Sequence, residues 1–221
     1  MAGKILVIAQ QKGGSGKTTL AAHLAVAGLS TSGARIAILD VDPQGSLGQW
    51  YERRERRLGE GATGLILRTA SGWGAKREAR LLARDHDLVV IDMPPRSDLE
   101  ARNAIEAADL VAVPIQPTPV DLWATEATLE LVEKGGPPAL LIVNRAPARA
   151  IAEATLAEIG RLGAPVATNR LGNRVAFGAT MGSGASVLEA FPQSKAAEEV
   201  RMLAEEIGRM LASGPTKGAA R

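Results

Sequence analysis

The chain has 221 residues, of which 46% are apolar and only 3% aromatic, so its core must be built from Ala, Val, Ile and Leu, as in sheets covered by helices on both faces. Twenty-six Lys and Arg against twenty-four Asp and Glu leave a net charge of +2. That excludes a global field holding the protein on a polyanion and confines any nucleic-acid contact to a local patch. Cysteine is absent, which excludes disulfides, thiolate nucleophiles and cysteine-ligated clusters.

The length fits one domain, expected over residues 1–212, with 213–221 as a disordered tail. The N-terminal MAGKILVIA is interrupted too soon by Gln10, Gln11 and Lys12 to be a secretory signal. No apolar run approaches the roughly 18 residues of a membrane span, so a soluble cytoplasmic protein is expected.

Apolar runs at 5–9, 36–39, 88–91, 110–113, 139–143 and 164–167 alternate with helix-patterned stretches. This is the mark of βα units, and it predicts an α/β fold whose mostly parallel, twisted sheet carries helices on both faces. Behind the first run comes QKGGSGKTTL, residues 11–20. Gly13, Gly14 and Gly16 let backbone N–H groups converge on an anion, Lys17 supplies a point charge for β/γ-phosphates, and the Thr18 hydroxyl suits Mg²⁺. A strict GxxxxGK[ST] loop needs glycine at 11, yet Gln11 stands there, followed by a second lysine, Lys12.

The first helix is expected from Lys17 to about Ser32, stopped by Gly33. Asp40-Val41-Asp42 follows the second run and leads through a Pro43–Ser46 turn into a short helix with Arg53, Arg54, Arg56 and Arg57. Glu52 and Glu55 interleave with these arginines, which makes the helix a solvated face. A strand is possible at 65–68. Asp92 ends the run 88–91, a proline-stiffened loop at 114–123 leads into a helix over 122–134, and Asn144 ends the run 139–143. Ligands of such sheets bind at the carboxyl ends of the strands, where these polar residues all fall. The last helix, 195–212, sets Val200, Leu203, Ile207, Met210 and Leu211 on one face. Its polar face is net acidic, which favours packing against the domain over lying on anionic lipid.

KGGSGKTT (12–19), LDVDPQGS (39–46), VVIDMPP (89–95) and VPIQPTPVDLWA (113–124) together resemble the deviant-Walker ATPases of the ParA and MinD type, from Lys4 to about Ile207. DxDPQ and DxPP point to ParA. With its first strand at Lys4, the chain looks like a short ParA without the N-terminal DNA-binding domain of larger relatives. The resemblance implies a single-domain P-loop NTPase that binds ATP and Mg²⁺ through Gly13, Gly14, Ser15, Gly16, Lys17, Thr18 and Thr19. It further implies that Lys12, the signature lysine, acts in trans on the phosphates of a partner subunit in a nucleotide-sandwiched homodimer. Thr18 and Asp92 would hold the metal with Asp40 supporting its shell, Asp42 would position the attacking water, and Asn144 would read adenine.

In that family the ATP dimer binds nonspecific DNA through basic residues of the C-terminal third, which puts forward Arg174 and Arg170, with Lys195 and Arg201 behind them. The implied function is an ATPase that partitions or positions a cargo with the help of an adaptor or activating protein, associates with the nucleoid and uses no membrane. Two alternatives accompany it: a MinD-like membrane-cycling regulator, disfavoured by the acidic face of the last helix, and a metabolic ATP-dependent synthetase on the same fold. An iron–sulfur relative is closed by the absence of cysteine.

Overall fold

The computed structural model describes residues 2–30, 33–95, 98–147 and 153–214. Six strands, β1 (Lys4–Ile8), β2 (Ile36–Asp40), β3 (Leu65–Thr69), β4 (Leu88–Asp92), β5 (Leu110–Ile115) and β6 (Ala139–Val143), form one sheet in the order β3-β2-β4-β1-β5-β6. Every pairing is parallel. Such strands need long crossovers, and α1 (Lys17–Gly28), α2 (Ser46–Leu58), α3 (Gly72–Asp85), α4 (Asp98–Ile105) and α5 (Pro119–Gly135) supply them. Beyond β6 come α6 (Glu153–Gly160), α7 (Val175–Gly182), α8 (Val187–Ala190) and α9 (Lys195–Ser213).

The helices divide between the faces. One core joins Leu20 and Leu24 of α1, Trp50 of α2 and Leu203 and Ile207 of α9 to Leu6, Ile38 and Val90 of the sheet. The other joins Ala75 and Leu82 of α3, Ile105 of α4 and Leu122 and Val132 of α5 to Val7, Leu39 and Ile91. Neighbouring residues of one strand thus serve opposite cores, which is why the inner strands are apolar without alternation.

Two expected boundaries shift. The first helix is buried almost all round, not on one face, and ends at Gly28, where a Cβ would stand 3.0 Å from Ile36 Cδ1; Ser32 lies outside the described residues. Residues 164–167 are no strand: Pro165 interrupts the run, and a single bridge from Val166 to Leu141 lies against the edge of β6. The run at 65–68 is edge strand β3. Helix α5 starts earlier than expected, with Thr118 as N-cap and Pro119 in the first turn. Its end at Gly136, φ 89°, has the left-handed backbone that glycine adopts freely. The apolar face of α9 is buried against the sheet and α1, and the tail beyond Gly214 lies outside the described residues.

Arg54 corrects the reading of α2 as a wholly solvated face. It is 2% exposed, lies over the Trp50 ring and donates through both terminal nitrogens to Glu189, 2.8 Å each. Arg57 reaches the same carboxylate at 3.0 Å.

Candidate functional site

The loop between β1 and α1 is shaped by its glycines. Gly14 and Gly16 sit at φ 75° and 94°, in the region that favours glycine, and a Cβ on Gly16 would stand 2.4 Å from Asn144 Nδ2. Asn144, at the end of β6, donates from Nδ2 to the Ser15 carbonyl at 2.7 Å and accepts the Arg145 N–H at 2.9 Å. It therefore braces the loop as well as facing the adjoining cavity. Lys17 opens α1, is 6% exposed and donates to the Lys12 carbonyl at 3.3 Å. Burial lowers its pKa; Asp92 and then Asp42 act the other way.

A cleft of about 530 Å³ lies over the loop, lined among others by Gly13, Lys17, Thr18, Asp42, Arg53 and Arg145. A second cavity of about 610 Å³, lined by His23, Asn144, Asn173, Arg174, Val175 and Phe177 among others, adjoins it and shares Gly16, Thr19 and Arg145 with it. The glycines and the amide-bearing first turn of α1 suit phosphate groups, and the adjoining cavity is continuous with that cleft through the shared residues.

Three carboxylates stand at this edge. Parallel pairing sets Asp40 of β2 beside Asp92 of β4. Asp92 is fully buried, and neither of its oxygens has a hydrogen-bond partner. Burial raises its pKa to about 7; the nearby Thr18 hydroxyl opposes that rise, Asp40 adds to it, Lys17 opposes it and Asp42 adds to it. An orphaned buried carboxylate beside a threonine that opens a helix fits a divalent cation, so Thr18 and Asp92 are suited to hold Mg²⁺. Asp40 does other work: its two oxygens accept the N–H groups of Asp42 (3.1 Å) and Gly48 (2.9 Å). It ties the Asp42 turn to the start of α2 and so also helps to place Asp42. Burial raises its pKa against those two bonds. Asp42, half-buried, accepts from the Gln44 N–H and faces the cleft.

Helix α5 grips the loop at three consecutive residues. Gln10, buried, donates to Thr125 Oγ1 at 2.9 Å and accepts from Thr128 Oγ1 at 2.9 Å. Gln11 donates its backbone N–H to Thr128 Oγ1 at 3.1 Å. Lys12 Nζ lies 2.6 Å from Asp121 Oδ2, an oxygen that the Thr118 hydroxyl also meets. Asp121 is 1% exposed, and its other oxygen has no partner. Downstream, Gln116 Nε2 donates to the Gly14 carbonyl at 3.0 Å. Sequence reasoning missed Gln10, Asp121, Thr125 and Thr128 as parts of the site. The one usable signal was that the proline-rich loop enters a helix on the strand-end edge.

His23 is 1% exposed. Its Nδ1 lies 2.8 Å from the Thr19 carbonyl, which fixes the proton there, and its ring meets Phe177 edge-on at 5.2 Å. Burial lowers its pKa to about 4, against opposing contributions from the Thr19 carbonyl and Glu189.

Of the expected DNA contacts, Arg174 is bound inside the chain. It donates from Nε and from a terminal nitrogen to Glu199, at 2.9 and 2.6 Å, and this pairing raises its pKa. The ion-pair reading is the one its geometry carries. Arg170 is exposed. Arg201 donates to the Pro192 carbonyl, and Lys195 opens α9 on the exposed side.

A glycine-shaped anion loop between a parallel strand and a helix, with a lysine and a hydroxyl at the helix start, defines a P-loop nucleotide-binding protein. Residues 6–188 match the model of the CobQ/CobB/MinD/ParA nucleotide-binding domain family, and the chain belongs to that family of P-loop ATPases. It is 31% identical over 210 residues to maintenance of carboxysome distribution protein A of Halothiobacillus neapolitanus, covering 91% of this chain and 95% of that protein. It is 32% identical over 238 residues to the chromosome-partitioning ATPase Soj of Thermus thermophilus, covering 91% and 94%. Among solved structures, the septum site-determining protein MinD of Pyrococcus horikoshii, complexed with Mg-ADP, superposes with a TM-score of 0.76 at 21% identity, covering 94% of this chain and 97% of that one. That likeness is one of fold, and the same fold there holds a nucleotide with Mg²⁺.

Proposed function

We propose that this chain is an ATP-switched ATPase that closes as a homodimer around nucleotide, holds nonspecific DNA in that state on the nucleoid, and distributes or partitions a cargo, with an adaptor protein stimulating hydrolysis. The observation that carries the reading is Lys12. A single triphosphate cradle is served by Lys17, whereas Lys12 does not line the phosphate cleft at all; its ammonium is held on α5 by Asp121. A second loop lysine outside its own cleft supports a role on the phosphates of another copy.

In this reading Lys17 and the loop N–H groups bind the β/γ-phosphates, and the base and sugar occupy the cavity faced by Asn144. Thr18 and Asp92 hold Mg²⁺, which when bound neutralises phosphate charge. Asp42, oriented by Asp40, accepts a hydrogen bond from the attacking water and aligns it. DNA contact falls to exposed cations that have no ion-pair partner among the described residues, Arg170 among them. The two relatives bear names for distribution and partitioning tasks, and the proposed task here is of that kind. Light scattering with ATP tests the switch: Lys12→Ala abolishes ATP-dependent dimers, while Asp42→Ala forms them and fails to hydrolyse. A wild type that stays monomeric with ATP overturns the reading.

A further inference from the structure

We infer that the outer face of α3, formed by Trp73, Arg77, Arg80 and Arg84, is the main surface through which this chain grips the phosphate backbone of duplex DNA. The inference rests on the DNA-binding reading above and places that binding on the opposite face of the sheet from Arg174. Many of the chain's arginines already have an acidic partner. Arg54 and Arg57 share Glu189, Arg174 is held by Glu199, and Arg35, Arg56 and Arg102 each face an acid within 4.0 Å.

Helix α3 differs. Its inner side, Ala75, Ala79, Leu82 and Ala83, is buried against the sheet. Its outer side carries Trp73, 67% exposed, and then Arg77, Arg80 and Arg84, all exposed. The spacings of four, three and four residues make one continuous stripe. The two other charges on the helix that pair do so sideways, Lys76 with Glu106 and Glu78 with Arg68. Among the residues whose side chains the structure describes, which leaves out 98–101 of α4, no carboxylate lies within 4.0 Å of the three arginines of the stripe.

Three neighbouring like charges at i,i+3 and i,i+4 destabilise a bare helix, and an anion laid along them relieves the repulsion. From Arg77 to Arg84 the helix rises about 10 Å, comparable to the axial rise of about three base pairs of B-DNA. Guanidinium forks bind phosphate bidentately, and the Trp73 indole adds one more N–H donor at the head of the stripe. The stripe lies on the exposed side of the helix, and its charge is local in a chain of net +2. Both features suit backbone contact without sequence reading.

The test uses the full chain with a non-hydrolysable ATP analogue and a fluorescein-labelled random-sequence duplex, followed by anisotropy over a salt series. For the double variant R77E/R80E the expected result is at least a tenfold loss of affinity. Its log–log salt slope should be shallower by about 0.9 for each phosphate contact removed, with ATP-dependent dimerisation and basal ATPase unchanged. The milder R77A/R80A, which keeps a good helix former at both positions, is expected to show a smaller loss and the same flattening of slope. Wild-type binding with both variants at wild-type affinity and slope overturns the inference and leaves the DNA-binding reading standing, whereas a wild type that binds no DNA with the analogue sinks that reading itself. Variants that keep DNA but lose a labelled poly-glutamate peptide bound by the wild type also overturn it, in favour of an acidic protein partner.

Discussion

Replacing Asp121 by Asn tests whether the Lys12–Asp121 pair competes with dimer closure. The pair is 2.6 Å long, with Asp121 at 1% exposure and the lysine side chain at 32%. Hydrogen bonds to charged groups contribute about 1.5–3 kcal/mol, and the partly exposed lysine argues for the lower end. Closure that draws Lys12 into a partner's cleft breaks one such pair in each subunit, so about 3 kcal/mol opposes each dimer. Removing the carboxylate charge while keeping the side chain's shape should therefore tighten the dimer roughly 100-fold, at about 1.4 kcal/mol per tenfold. The monomer should lose little stability, because the freed ammonium reaches solvent and a buried carboxylate with one unpartnered oxygen disappears. Sedimentation velocity with a non-hydrolysable ATP analogue measures the dimer constant, and thermal melting of the nucleotide-free chain guards against a damaged α5. An unchanged or weaker dimer constant with an unchanged melting point would refute the competition.

Asp92→Asn should stabilise the nucleotide-free chain at pH 8 by up to about 4 kcal/mol. The carboxyl is raised from 3.8 to about 7, each unit is worth about 1.4 kcal/mol, and the folded state binds more protons than the unfolded chain across that window, so stability falls as pH rises through it. Denaturant unfolding at pH 5 and 8 reads this, and ATPase assays should show the same variant inactive. His23 works in the other sense. Its pKa is lowered from 6.5 to about 4, so below pH 6.5 the unfolded chain takes up a proton that the folded one refuses, and stability falls by up to about 3 kcal/mol as pH drops towards 4. His23→Gln should flatten that part of the pH profile relative to wild type, and an unchanged profile would place the acid sensitivity elsewhere.

What the sequence revealed of this site is what backbone conformation and chain order dictate. Gly14 and Gly16 were readable because a loop that turns its N–H groups inward needs left-handed backbone there, and few other residues adopt it. Asp40, Asp92 and Asn144 were readable because each closes an apolar run, and in a parallel sheet all such ends share one edge. The grip of α5 was not readable, since Gln10 and Thr125 stand 115 residues apart and nothing local in either announces the other. The same blindness misjudged the arginines. Helical spacing marks Arg54 as one member of a basic cluster, but it takes the arrival of Glu189, 135 residues away, to bury it.

The charge arrangement explains why the loop needs holding from both sides. Asp92 and Asp42 face one buried ammonium, Lys17, and the orphaned oxygens of Asp92 mark an imbalance that the folded chain carries until cations arrive. Asp121 holds Lys12 on α5, away from these carboxylates, while Gln10, Gln11 and Gln116 fix the backbone on either side. The site thus stays short of positive charge in the lone subunit. In the proposed switch a triphosphate, which adds negative charge of its own, would be held best when positive charge comes from outside the subunit, from the metal and from the facing lysine of a second copy. On that proposal, coupling of ATP binding to dimer closure would draw on electrostatics already present in one chain.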